Sequence, residues 1–329
     1  MGGETTRQQD QCCRPCDTLK FWCYGLRTES HRSLAPVFAA QGIDFAEEYD
    51  PGWMPDVRIT VGDVPPFEAS VSLNGISFHA APGVMLLAVD GIARYREEDG
   101  CAIVVEPDPV ASPERIGAFL FGSVFGALLH RRGIIPMHGS AVGTPGGECA
   151  LIVGAPGAGK STLTALLEER GRQVVADDVS ALSSGSDGLV RLRPGPPRLK
   201  LSTEVLRRLG KDLDSLCGVG PLFDKFQLPT TQPVPGGQSF VVRWVFELTL
   251  GVCNRLMPPV QGLAKVRSLV KHTYRPRLVE ILGDRKVYFE RLSALARQVV
   301  FAELSRSDDL SEVHRLVDLV EAGMGLDGG

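Results

Sequence analysis

The chain has 329 residues, 43% hydrophobic and 22% charged, with a formal net charge of −4. That length admits one large or two smaller globular domains, and the slight acidity offers no basic surface for nucleic acid or an anionic membrane. The longest charge-free apolar run, Ile116–Leu129, is shorter than the roughly 20 residues that span a bilayer, so no membrane segment is expected.

Residues 1–18 are polar, lack the apolar core of a signal peptide and read as a disordered tail, which points to the cytoplasm. Four of the eight cysteines lie early, at Cys12, Cys13, Cys16 and Cys23. Cys13-x-x-Cys16 has half of a zinc-site spacing, but no second pair completes it, so reduced thiols are expected. Residues 19–110 read as a β-rich N-terminal region. "DVRITV" alternates as a half-buried strand does, and Asp90-Gly91 and Asp99-Gly100 are turn dipeptides between strands.

A helix is predicted from Ser112 or Pro113 to near Gly133, with Pro and Glu in its first turn. Gly122-x-x-x-Gly126 inside it leaves room for a close neighbour, expected to be another backbone. "IIPMHGSAVG" and the near-continuous apolar "GECALIVG" are strands, the second patterned like a buried parallel strand. A helix over Lys160–Arg170, stopped by Gly171, leads to the strand "QVVADDV". This strand–loop–helix–strand succession makes the fold class α/β. Downstream, "STEVLRRLG" is a short capped helix and "SFVVRWVFELTL" a strand. Three amphipathic helices follow, with "VFAEL" a strand between the last two.

Gly154, Ala155, Pro156, Gly157, Ala158, Gly159, Lys160 and Ser161 complete the pattern G-x-x-x-x-G-K-[ST], and Thr162 follows. With 37 glycines in the chain, chance alone yields such a match in roughly one chain in a hundred. Its position between an apolar strand and a helix is the one the chemistry needs. Glycines let backbone N–H groups close on phosphate oxygens, and the helix N-terminus adds partial positive charge. Lys160 is expected on the phosphates and Ser161 on Mg²⁺.

Asp177 and Asp178 end the strand beyond the loop helix. Adjacent strand residues face opposite ways, so both carboxylates reach one site only if the strand ends between them. One would hold the metal and the other would take a proton from an attacking hydroxyl.

"HGSAV", "GAPGAGKSTL" and "ERGRQVVADDV" together resemble the core of the HPr kinase/phosphorylase group of serine kinases. The resemblance is close over 132–181 and looser on either side. It implies a P-loop core like that of the ATP-dependent phosphoenolpyruvate carboxykinases, making 111–329 an HPr-kinase-like kinase domain. It also implies ATP and Mg²⁺ as cofactors, Lys160 on phosphate, Ser161 and Asp177 on the metal, Asp178 as general base and His138 near the transferred group. A homo-oligomer is expected by the same analogy. The chain departs from the family at Pro156, where serine is usual, at Thr162, where an acidic residue is usual, and at "RPGPPRLKLS", which replaces a glycine-rich signature. HPr as substrate and a reverse phosphorylase activity are therefore not carried over. The chain looks closer to HPr-kinase-like proteins outside sugar regulation, among them the lasso-peptide tailoring kinases that phosphorylate a precursor peptide's C-terminal serine.

The expected function is transfer of the ATP γ-phosphate to a serine hydroxyl of a peptide or small protein. The alternatives are a small-molecule kinase, acting on free serine or another metabolite, and a non-catalytic ATP-binding regulator. Arg198, Lys200, Lys225, Arg243 and Arg275 are further candidates for substrate contact. Lys200 and Lys225 lead, because only 8 of the 35 basic residues are lysine.

Overall fold

The computed structural model describes residues 18–45, 52–213, 216, 218, 225–308 and 312–326. Cys12, Cys13 and Cys16, and all of the expected tail except Thr18, lie outside them. Thr18 itself departs from that expectation, because it opens the first strand and pairs with His31.

The first eight strands form one sheet. They are β1 (Thr18–Cys23), β2 (Leu26–His31), β3 (Val57–Val61), β4 (Val71–Leu73), β5 (Ile76–Ala81), β6 (Val84–Val89), β7 (Ala93–Glu98) and β8 (Ala102–Pro107). Their order is β1-β2-β3-β8-β7-β6-β5-β4. The Asp99-Gly100 turn has φ of 49° and 69°, the doubly left-handed geometry of a tight hairpin. A short helix, α1 (Ala35–Ala39), follows β2; five residues are too few for periodicity to reveal it.

The predicted long helix is continuous but not uniform. It runs as α2 (Pro113–Phe119), a π-helical turn over Leu120–Val124, and α3 (Phe125–Arg131). Phe121, Val124, Phe125 and Leu128 share one apolar cluster with Phe21, Phe38 and Tyr95 of the first sheet region. The buried phenols are satisfied on this helix: Tyr24 Oη donates to Phe121 O at 2.9 Å and Tyr95 Oη to Ile116 O at 2.8 Å. Gly122 and Gly126 admit a side chain rather than a backbone. A Cβ on Gly126 would stand 2.8 Å from the Tyr274 ring.

The second sheet contains β9 (Ile135–Gly143), β10 (Glu148–Gly154), β11 (Gln173–Ala176), β12 (Val179–Ser184), β13 (Val190–Arg193), β16 (Phe240–Leu250), β17 (Arg255–Leu256) and β18 (Val300–Arg306). The pairings β9–β12–β13–β16–β10–β9 close into a ring. Between β13 and β16 lies a separate two-stranded ribbon, β14 (Arg198–Ser202) and β15 (Lys225–Pro229). Alternation along β10 explains its apolar run. Cys149, Leu151 and Val153 pack toward α6 (Gly262–Lys271) and α8 (Arg285–Gln298). Ala150 and Ile152 pack toward α4 (Lys160–Glu169) and α9 (Val313–Gly323). Both faces are covered, so both must be apolar.

The chain is thus mixed α/β. The strand expected as "QVVADDV" is in fact two strands, β11 and β12, interrupted at Asp177–Asp178. Both pair antiparallel with β9, which lies between β10 and β11. The predicted short helix is α5 (Thr203–Arg208), capped by Ser202, and α7 (Leu278–Ile281) is a further one-turn helix. Among the described residues no helix is long and apolar enough to cross a membrane.

Candidate functional site

The glycine-rich loop joins the carboxyl end of β10 to the start of α4. Gly157 and Gly159 have φ of 80° and 100°, in the region that favours glycine. Gly154, at φ 153°, lies against β16; a Cβ there would come 2.6 Å from Leu248 O. Lys160 folds back over the loop. Its Nζ donates to Gly154 O at 3.0 Å and Ala155 O at 3.1 Å, and lies 3.2 Å from His138 Nε2. Burial lowers the Lys160 pKa, while Asp177 and Asp178 pull the other way.

The interruption between β11 and β12 brings both aspartates to one place. Asp178 takes φ of 70°, a left-handed turn that aspartate tolerates better than most residues. The chain stops alternating there, and both carboxylates line one cleft of about 400 Å³ with His138, Lys160 and Ser161. Asp177 Oδ1 accepts from Ser140 Oγ at 2.6 Å and from Ser161 Oγ at 2.8 Å, and its Oδ2 accepts from the Lys200 amide at 2.8 Å. Asp178 Oδ2 accepts from Lys200 Nζ at 2.6 Å. Burial alone would raise the Asp178 carboxyl, but Lys200, His138 and Arg198 outweigh it and hold it well below the usual carboxylate range.

His138, on β9 opposite Val179, lies between the two charges. Its Nδ1 is 3.2 Å from Asp178 O and 3.5 Å from Asp178 Oδ1. Burial and Lys160 push its pKa down against Asp178, so the ring is neutral near pH 7. The hydrogen-bond network assigns the proton to Nδ1, facing Asp178 O, because the Lys160 ammonium needs Nε2 as an acceptor.

Of the other candidates, Pro156, Thr162, Lys200 and Lys225 line the cleft as well. Arg243 does not: it pairs with Glu148 at 2.6 Å, at the opposite end of β10 from the loop. Arg275 donates to Ser123 Oγ at 2.8 Å and lies over the Tyr274 ring. Among the described residues no cluster of three or more His, Cys, Asp or Glu side chains suits a metal. Cys23 is buried in the first core, where desolvation raises its thiol pKa far up.

Among the residues not anticipated, two hold parts of the site in place. Ser140 sits two positions after His138 on β9, and the register with β11 and β12 brings it to Asp177. Arg306, at the end of β18, donates from Nε to Ala158 O at 2.6 Å and so supports the loop from below. Its signal was the carboxyl end of a parallel strand, where open α/β sheets place ligands.

No protein-family model matches the chain, and no curated protein matches it. Among solved structures the chain is similar to the Hpr(Ser) kinase/phosphatase from Coxiella burnetii, at 12% identity and a TM-score of 0.29. The match covers 57% of this chain and 90% of that one.

Proposed function

We propose that the chain is an ATP- and Mg²⁺-dependent serine kinase, transferring the γ-phosphate to a serine hydroxyl of a peptide or small protein. The observation that carries this reading is the convergence of Lys160, the Ser161–Asp177 pair and Asp178 on one cleft at a glycine-rich loop. A protein that only binds nucleotide needs the first two but has no use for a second carboxylate held ionised beside them.

The residues fit the groups the reading calls for. Ser161 Oγ and Asp177 Oδ1, 2.8 Å apart, are the hard oxygen donors that Mg²⁺ takes, and the open backbone at Gly157 leaves room for phosphate. Mg²⁺-bound ATP would supply the phosphoryl group and neutralise its charge as transfer proceeds. Lys160 now spends its donors on two loop carbonyls, and it would exchange them for phosphate oxygens. Asp178, kept ionised by Lys200, would accept the hydrogen bond of the serine hydroxyl and aim its lone pair. Its low pKa makes it a weak base, which suits a loose transition state in which the hydroxyl loses its proton late. Neutral His138 would fix the spacing between Lys160 and Asp178 without adding charge.

The test is incubation with Mg²⁺, ATP and serine-containing peptides encoded by neighbouring genes, read by mass spectrometry. The expected result is a gain of one phosphate that Asp178→Asn abolishes while ATP binding persists. Phosphorylation of free serine instead would make the chain a small-molecule kinase, and ATP binding with no acceptor would make it a regulator.

A further inference from the structure

The β14–β15 ribbon has two unlike faces. Leu199 and Leu201 pack beneath α4 and α5 with Ala165, Val174 and Leu206. Alternation therefore turns Arg198, Lys200 and Ser202 the other way, toward Asp178. Register adds Gln227 opposite Lys200 and Lys225 opposite Ser202 on that face. Three cations and one amide thus share a face that Asp178 alone offers to balance, since Asp177 already accepts three hydrogen bonds.

Only Lys200 is matched, by Asp178 at 2.6 Å. Arg198 is 6% exposed, yet its guanidinium makes no hydrogen bond or ion pair with any described residue, and its Nε is buried without a partner. The ionisable groups around it are Tyr24, Asp178, Asp177 and Cys23. Tyr24 already donates to Phe121 O, and both aspartates are engaged by closer donors. Gln227 Oε1 is likewise buried and unpartnered, while its Nε2 reaches Glu114 O only at 3.5 Å. Lys225 lines the cleft, exposed, with no ion-pair partner among the described residues. A buried unpaired guanidinium is costly unless an anion arrives to match it.

We infer that this ribbon face is an acceptor subsite for an anionic group, a carboxylate or a phosphoryl group, anchored by Arg198 and flanked by Lys200 and Lys225. The inference deepens the serine-kinase reading and rests on it. Two residues of strand span about 7 Å, so the anion would lie within a residue or two of the serine that meets Asp178. The acceptor is then a serine beside an acidic residue, beside a phosphorylated one, or beside the chain's own terminal carboxylate. A serine in a neutral stretch is disfavoured.

The test uses the full chain with a non-hydrolysable ATP analogue and Mg²⁺ on the loop. Fluorescent serine peptides are compared in pairs that differ by one charge, Asp against Asn beside the serine, and free against amidated C-terminus. The charged member should bind at least ~30-fold tighter, a preference that Arg198→Gln erases, Arg198→Lys partly restores and Lys225→Gln weakens by ~3-fold. Lys225 is exposed, so its variant answers even if Arg198→Gln misfolds. Displacement of bound peptide by acetate assigns a carboxylate, displacement by inorganic phosphate a phosphoryl group, and displacement by neither overturns the subsite. Equal binding of charged and neutral peptides overturns it too, even where both are phosphorylated and the kinase reading stands. Charge-dependent, Arg198-dependent binding with no transfer from ATP leaves the subsite standing and removes the kinase reading instead.

Discussion

The two large sheets bury charged side chains in opposite ways. In the first, the buried charge is Glu97, and its partner is fixed. Glu97 is fully buried and takes Arg131 Nε and Nη2 near 3.1 Å and the Gly100 amide at 2.8 Å. Desolvation still outweighs those partners and lifts its carboxyl above the ordinary range, so the fold holds this pair together more than the attraction does. At the carboxyl edge of the second sheet, Lys160, Asp178 and Lys200 have partners that a ligand can replace, and Arg198 has none. A fixed partner for a buried charge serves the architecture, whereas a charge whose partner is exchangeable or missing is suited to a ligand.

That contrast can be broken by substitutions in each region. Lys160→Ala should lower transfer by ~10³-fold or more while leaving the unfolding transition nearly in place, since the hydrogen-bond partners lost are neutral: two loop carbonyls and His138 Nε2. Unchanged turnover in a phosphorylation assay would remove Lys160 from the site. Glu97→Ala should do the reverse. It strands Arg131 and should cost about 3–5 kcal/mol in a denaturant titration, with nucleotide affinity unchanged at temperatures where the variant is folded. If it weakens nucleotide binding instead, the two sheets are not separable in this way.

A smaller effect concerns pH. The Asp178 carboxyl is held below its unfolded value, so its contribution to stability is present above the unfolded pKa near 4 and is lost as pH falls through the lower folded value. In the wild type, Asp178 should therefore set no acid limb in the kcat/KM profile above about pH 4. Lys200→Met removes the cation that holds it down, and the acid limb should move upward. A profile that does not move would mean that Lys200 leaves the Asp178 carboxyl untouched.

The parts of the site legible in the sequence are those whose residues are close in the chain. Gly154–Ser161 and Asp177–Asp178 announce themselves by spacing and by residue types that do little else. Lys200 stood out because lysine is scarce. Ser140 gave no local signal, because only register brings it to Asp177, and Arg306 offered no more than its place at a strand end, 148 residues beyond the Ala158 it holds. The same holds for the fold. The apolar run of β10 and the capped helices are local signals, whereas the insertion of β9 between β10 and β11 is a pairing choice that no single segment encodes. The π-helical turn was equally hidden, since Leu120–Val124 carries an ordinary helical composition.

The left-handed backbone at Asp178 has a consequence for mutational tolerance. Folding at this position selects for residues that accept positive φ, chiefly glycine, asparagine and aspartate. The proposed chemistry selects for a carboxylate. Aspartate is the one residue that meets both demands, because glutamate tolerates that backbone poorly and carries its charge a bond further out. A library covering all residues at 178 should therefore separate into a small set that folds and a single member that works.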